Sequence, residues 1–159
     1  MSSLETPLFD MLTGCAGPFS GFGDLVPSQV AARHFRCTAE QARERIRECF
    51  GRSLTPGRSS VQDLDDILAE MWEEAWSPET GNIHLFATDF GAILACELAS
   101  SFHGRLLFRS RKDLTHCSVW WADSRVEAFA FHKALKALYD RQERALVAFY
   151  DGIESLVGG

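Results

Sequence analysis

The chain has 159 residues and carries 16 Lys and Arg against 22 Asp and Glu, a formal net charge of −6. That length suits a single domain, and 46 % apolar with 24 % charged residues excludes a disordered chain, a collagenous repeat and a disulfide knot. The acidic balance argues against wrapping duplex DNA through the net field, and 12 Phe with 4 Trp but only 2 Tyr predict a dry core built on phenylalanine.

Residues 1–27 are punctuated by Gly14, Gly17, Pro18, Gly21, Gly23 and Pro27, which favours turns over long elements. A short helix is expected around Pro7–Leu12, and Phe9, Phe19 and Phe22 predict that this Gly/Pro-rich segment packs on the body. Leu12-Thr13-Gly14-Cys15 has the form of a lipoprotein processing box. The residues before it hold Glu5, Pro7 and Asp10 and no Lys or Arg, which is not a secretory signal. The five cysteines (Cys15, Cys37, Cys49, Cys96, Cys117) are odd in number, scattered and without a CxxC pair. They read as reduced thiols rather than as disulfides or a zinc site. No stretch approaches the roughly 18 uninterrupted apolar residues of a membrane span. The expectation is a soluble, cytoplasmic protein.

Residues 28–159 read as one α+β domain. Thr38-Ala39-Glu40-Gln41 has the form of a capping box, followed by Ala42, Ile46 and Cys49/Phe50 at helical spacing, with Gly51 as the stop. After Pro56-Gly57, Ser60 with Asp63 predicts a second helix carried by Leu64, Ile67/Leu68, Met71 and Ala75, ending near Trp76-Ser77-Pro78. A third helix is predicted from about Ile83 to Phe102, its Gly91 tolerated because another backbone packs closely there. The period then falls to two. Leu106 and Phe108, then Cys117, Val119 and Trp121, then Arg125–Phe129 predict a three-stranded antiparallel meander over about 104–129, with a turn at Asp123-Ser124. From Phe131 the helical period returns through Leu135, Leu138, Leu146, Phe149, Ile153 and Leu156, as one long helix or two broken near Asp140. The predicted fold is predominantly helical α+β, with helices covering one face of a small sheet.

The chain contains no GxSxG, P-loop, GxGxxG or HExxH motif, and its five histidines do not fall at metal-ligand spacing, so neither metal nor cofactor is expected. An enzymatic alternative would centre on Asp89, Cys96, Glu97 and His103. Cys96 and His103 are seven residues apart, about 10.5 Å of helical rise, too far for a direct hydrogen bond. Asp89 and Glu97 suit capping or ion pairing as well as acid–base work.

Two surfaces stand above background. Residues 61–79 hold Asp63, Asp65, Asp66, Glu70, Glu73, Glu74 and Glu79 and no base. Like charges at i+3 and i+4 repel by a few tenths of a kcal/mol per pair, so the stripe Asp63, Asp66, Glu70, Glu73 is expected to meet a cationic partner. The competing reading is compensation by the preceding helix, with Arg43, Arg45, Arg47 and Arg52 alongside. The second surface is the outward face of the sheet, where Arg105, Arg109, Arg111, His116 and Trp120 fall together, with Arg125 beside them. Arg and Trp are enriched at binding hot spots. The cluster suits an acidic protein or, with Trp120 as a stacking platform beside Arg109, a nucleic-acid strand, although the net charge disfavours nucleic acid.

Phe50-Gly51-Arg52-Ser53-Leu54, then Ser59-Ser60-Val61-Gln62-Asp63-Leu64-Asp65-Asp66-Ile67-Leu68, resembles the opening of a bacterial α+β domain family of unknown function. Its pattern is an FG-x-x-L segment, a Ser-initiated helix with a Leu-Asp pair, and an FGAYLGE-like helix. Phe90-Gly91-Ala92-Ile93-Leu94-Ala95-Cys96-Glu97 is similar to that last element, with Cys96 where the pattern has Gly. The resemblance covers roughly residues 38–155 and implies the fold, with a small sheet and a C-terminal helix after the FGAYLGE-like element. Bacterial proteins of this size and style often accompany secreted toxins as immunity proteins. The functional expectation is therefore a non-enzymatic protein-binding domain, most concretely an immunity protein that covers the functional surface of a cognate toxin.

Overall fold

The structure, a computed structural model, describes residues 26–27, 29–74, 83–108 and 118–158. Strand β1 (Val26–Pro27) is followed by helices α1 (Gln29–Phe50), α2 (Arg58–Glu73) and α3 (Ile83–Phe102). Strands β2 (Arg105–Phe108), β3 (Ser118–Trp121) and β4 (Val126–Ala128) come next, then helices α4 (Ala130–Asp140) and α5 (Ala145–Val157). The architecture is α+β. β2, β3 and β4 form the expected antiparallel meander, in register Leu106↔Val119↔Ala128. The two-residue β1 adds a fourth strand at the β2 edge, pairing Val26 with Phe108 and Pro27 with Leu107. The expected helix at Pro7–Leu12 lies outside the described residues.

Helix α1 starts at Gln29, nine residues before the predicted capping box, and Thr38 sits buried in its middle. No Gly or Pro interrupts residues 29–50, so propensity carries the helix through Thr38. Its end is as predicted, with Gly51 at a positive φ of 67° and its N–H on the carbonyl of Arg47. Helix α2 also begins early, at Arg58. Ser60, expected as its cap, is fully buried and donates to the carbonyl of Thr55. The C-terminal stretch is two helices, broken as one of the two readings had it, after Asp140.

Helix α3 is the centre of the molecule. Its 20 residues, about 30 Å of rise, are by length and composition apolar enough to cross a membrane, although Asp89 and Glu97 interrupt the apolar run, and 67 % of an 18-residue stretch of it is buried inside the fold. A helix apolar on all sides is what a core surrounded by packing partners requires. Phe90, Ile93, Leu94 and Leu98 are almost fully buried, and the cluster around them includes Leu64 and Leu68 of α2, Val119 and Trp121 of β3, Phe131 and Leu138 of α4, and Leu146 of α5. The expected close approach at Gly91 is found. A Cβ there would lie 2.6 Å from a ring carbon and 2.9 Å from the Cα of Phe131, so α4 crosses α3 against bare backbone. At the far end of α3, His103 takes the left-handed turn (φ 59°) where glycine is the usual residue. The glycine follows one position later because a Cβ on Gly104 would lie 2.5 Å from Val119 and 2.7 Å from Trp121. The indole of Trp121 donates to the carbonyl of Phe102 at 2.8 Å and fixes the helix end on the sheet.

Two glycine replacements test this packing. Gly91→Ala should cost about 1–3 kcal/mol in urea unfolding, because α4 must retreat from α3. Gly152→Ala, in α5 where nothing lies within 4 Å, should instead stabilise by about 0.5–1 kcal/mol. Equal effects at the two positions would contradict the close crossing.

Candidate functional site

The charges of α1 and α3 meet each other. In α1 the buried Ala39, Ala42 and Ile46 form the contact ridge, and at 100° per residue Arg43 and Arg45 flank it on either side. Arg43 donates to Glu97 at 2.5 Å, to Ser60 Oγ at 3.1 Å and to the carbonyl of Leu54 at 3.4 Å. The other oxygen of Glu97 accepts the N–H of Gly57 at 3.0 Å. Arg45 holds Asp89 through two bonds of 2.8 and 2.5 Å. Glu97 and Asp89 are 4 % and 5 % exposed, so both alternative acid–base groups are committed to holding α1 on α3. Between them in sequence, burial and the adjacent Glu97 push the Cys96 thiol up to about 12, far from the thiolate a nucleophile needs at neutral pH. His103 lies exposed past the helix end.

The acidic stripe of α2 divides. Glu70 pairs with Arg52, which also reaches Asp63 at 4.0 Å. Arg47 is occupied instead by Glu44 on its own helix. Compensation by the preceding segment therefore covers Asp63 and Glu70 and leaves Asp66 and Glu73, both exposed, without an ion pair among the described residues.

Asp65, one residue along, has a different task. With Val61, Leu64 and Leu68 it lies on the buried face of α2 and is 6 % exposed. Its two oxygens accept the N–H groups of Leu146 and Val147 at 3.1 and 2.8 Å. These are orphan donors at the start of α5, whose own N-cap, Arg144, is left-handed (φ 57°) and makes no side-chain cap. Asp65 is thus an N-cap supplied by another helix. Burial pushes its carboxyl above the usual aspartate value, opposed by the two backbone N–H groups and by Arg144.

Docking the α4–α5 corner on α2 in this way leaves a cleft of about 490 Å³ lined by Asp65, Asp66, Trp72, Glu73, Glu143 and Arg144. Glu143 and Arg144 are exposed and make no ion pair among the described residues. The indole Nε1–H of Trp72 is buried without a hydrogen-bond acceptor among the described residues. Among the described residues no cluster of His, Cys, Asp or Glu is arranged to hold a metal.

On the sheet, Arg105, Trp120 and Glu127 align across β2, β3 and β4. Arg105 is exposed and Trp120 half-buried. The same face is closed one row away, where Leu107 and Ser118 are 1 % and 2 % exposed and Ser118 donates to Glu127. Arg125 is exposed at the end of the β3–β4 turn. Arg109, Arg111 and His116 lie outside the described residues.

Of the residues lining the cleft, the expected acidic stripe contained Asp66 and Glu73, whereas Trp72, Glu143, Arg144 and the inward role of Asp65 were not expected. A signal existed for Asp65 alone: it stands four residues after Val61 on the apolar stripe, and a carboxylate there requires donors. Asp65→Ala should cost about 1–2 kcal/mol by removing the cap and stranding two N–H groups. Asp65→Asn keeps an acceptor without a buried charge and should cost less at pH 7. A folded-state pKa above the unfolded one means that the native state binds the proton more readily, so Asp65 adds stability as pH falls toward 3.8. Urea titrations across pH should show wild type gaining on Asp65→Asn on acidification, and a constant difference would contradict it. No protein-family model, curated protein or solved structure matches the chain.

Proposed function

We propose that this chain is a non-enzymatic protein-binding domain that uses the solvent-facing half of α2 against a basic partner, its most concrete form being a cytoplasmic immunity protein that neutralises a bacterial toxin by covering its functional surface. The observation that carries the reading is the split of the acidic helix. Arg52 pairs with Glu70 and Asp63 and reaches Asp66 only through its field, whereas Asp66 and Glu73 stay exposed in the same cleft as Glu143 without an ion pair among the described residues. Carboxylates left bare along one helix repel one another, and a cationic partner surface removes that cost while steering association. The commitment of Asp89 and Glu97 to arginines and the high thiol pKa at Cys96 support a binding role over catalysis. The sheet face is the weaker surface, because its one tryptophan is half-buried in a row that contains both Arg105 and Glu127.

Affinity capture from lysate of the source cells tests this, with the wild-type chain and an Asp66→Lys/Glu73→Lys chain as baits and quantitative mass spectrometry as the readout. The expected result is one basic partner whose recovery falls roughly tenfold with the double reversal and, on wild type, declines with added salt. Recovery unaffected by the reversal overturns the acidic-helix surface. A loss with Trp120→Ala and Arg105→Glu instead moves the interface to the sheet.

A further inference from the structure

We infer that the α4–α5 corner is a strained hinge latched by Asp65, and that on release α4 and α5 join into one helix that delivers α5 to a second copy of this chain. Neither step depends on the protein-binding reading above. Asp140, Arg141, Gln142, Glu143 and Arg144 include no glycine, proline or β-branched residue, and Arg, Gln and Glu are strong helix formers. Asp140 and Arg144 are an acid and a base at i and i+4, in the order that supports a continuous helix. Wound at 100° per residue, Phe131, Leu138, Leu146, Phe149, Ile153 and Leu156 fall within about 80° of one another. The local sequence therefore asks for a single helix. The backbone turns instead, through two arginines in the left-handed region, Arg141 (φ 52°, ψ 37°) and Arg144 (φ 57°, ψ 28°). Glycine takes that conformation freely, whereas a residue with a side chain is strained in it.

What holds the bend lies 81 residues away in sequence. Asp65 accepts the N–H groups of Leu146 and Val147 at 3.1 and 2.8 Å. Those are the two donors that a continuous helix would spend on the carbonyls of Gln142 and Glu143, four residues back. Asp65 and helix continuation compete for the same two amides. The other ties of α5 carry no such conflict. Arg58 holds Asp151 at 2.8 and 2.9 Å, Tyr150 donates to Ser101 at 2.8 Å, and Leu146, Tyr150 and Ile153 are buried. All of these can be remade when the α5 of one copy occupies the seat of another. An α5 that swung out alone would leave its apolar face and its seat open, and reciprocal exchange between two copies reburies both. Straightening also carries Glu143 and Arg144 away from Asp66 and Glu73, so the exchanged form lacks the cleft.

Sedimentation velocity over a concentration series, on chains refolded together from urea, tests the latch. Asp65→Ala should dimerise roughly tenfold or more tightly than wild type. Adding Arg141→Gly and Arg144→Gly, which ease the bend and interrupt the straight helix, should return it to monomer. Arg144→Gly in the otherwise wild-type chain requires no change at Asp65 and should raise the urea midpoint by relieving the hinge. The exchange itself is read by charge swapping in the Asp65→Ala background. Arg58→Asp and Asp151→Arg each place like charges in the α2–α5 contact, and the two chains refolded together should form heterodimers in excess of homodimers by native mass spectrometry. A monomeric Asp65→Ala chain, dimers indifferent to the two glycines, a statistical mixture of the charge variants, or a lowered midpoint for Arg144→Gly would each overturn the inference.

Discussion

Two carboxylates, Asp89 and Glu97, stand on the one helix that the other layers pack around, and the arrangement of the remaining elements depends on how they are met. An ionised carboxylate taken out of water costs several kcal/mol unless it is paired and its lone pairs are filled. Helix α3 contains no Lys or Arg, and its one histidine, His84, is exposed. The counter-charge therefore comes from α1, and it comes from both sides of that helix's apolar ridge. Arg43 and Arg45 straddle Ala39, Ala42 and Ile46, so α1 can settle on α3 in only one rotation that satisfies both pairs. The Glu97 pair also draws in the backbone of Gly57, and Arg43 adds Ser60, which ties the start of α2 to the same point. Pairs of this kind contribute little net stability against an apolar replacement, and their use here is to select one packing among several.

Helix α2 distributes its acids by rotation about its axis. Asp65 turns inward and caps a distant helix, Glu70 and Asp63 turn toward Arg52, and Asp66 and Glu73 turn to solvent. Neighbours one residue apart thus take opposite roles because successive side chains stand 100° apart. The inward one creates the place for the outward ones. By drawing the α4–α5 corner down onto α2, Asp65 brings Glu143 and Arg144 level with Asp66, Glu73 and Trp72.

Where the sequence carries period and punctuation together, the fold could be read from it. Helix α3 is bounded at Ile83 and Phe102 as predicted, and the turn at Asp123-Ser124 and the close crossing at Gly91 both have local causes. The start of α1 could not be read correctly, because a capping signature at Thr38-Gln41 is a local preference and nine helix-compatible residues before it overrode that preference. Leu107 stands on the face opposite Leu106 by alternation, yet both are buried, so this part of the sheet is covered on both sides. The site was half legible. The acids of α2 announce themselves by spacing, but Glu143 and Arg144 come next to them only through a contact spanning 81 residues, and no local pattern encodes that.

That same contact orders events in time. Helix α5 has 13 residues, begins at a left-handed arginine, and has no cap from its own neighbourhood, so in isolation it is marginal. Its first donors are satisfied only when Asp65, far earlier in the chain, arrives. The entropy of closing so long a loop falls due before the cap contributes anything. The C-terminal helix is accordingly expected to consolidate late in folding, as a pulse-labelling hydrogen-exchange experiment on α5 amides would show. Its N-terminus is also the first to open when α2 loosens, and one wall of the cleft goes with it.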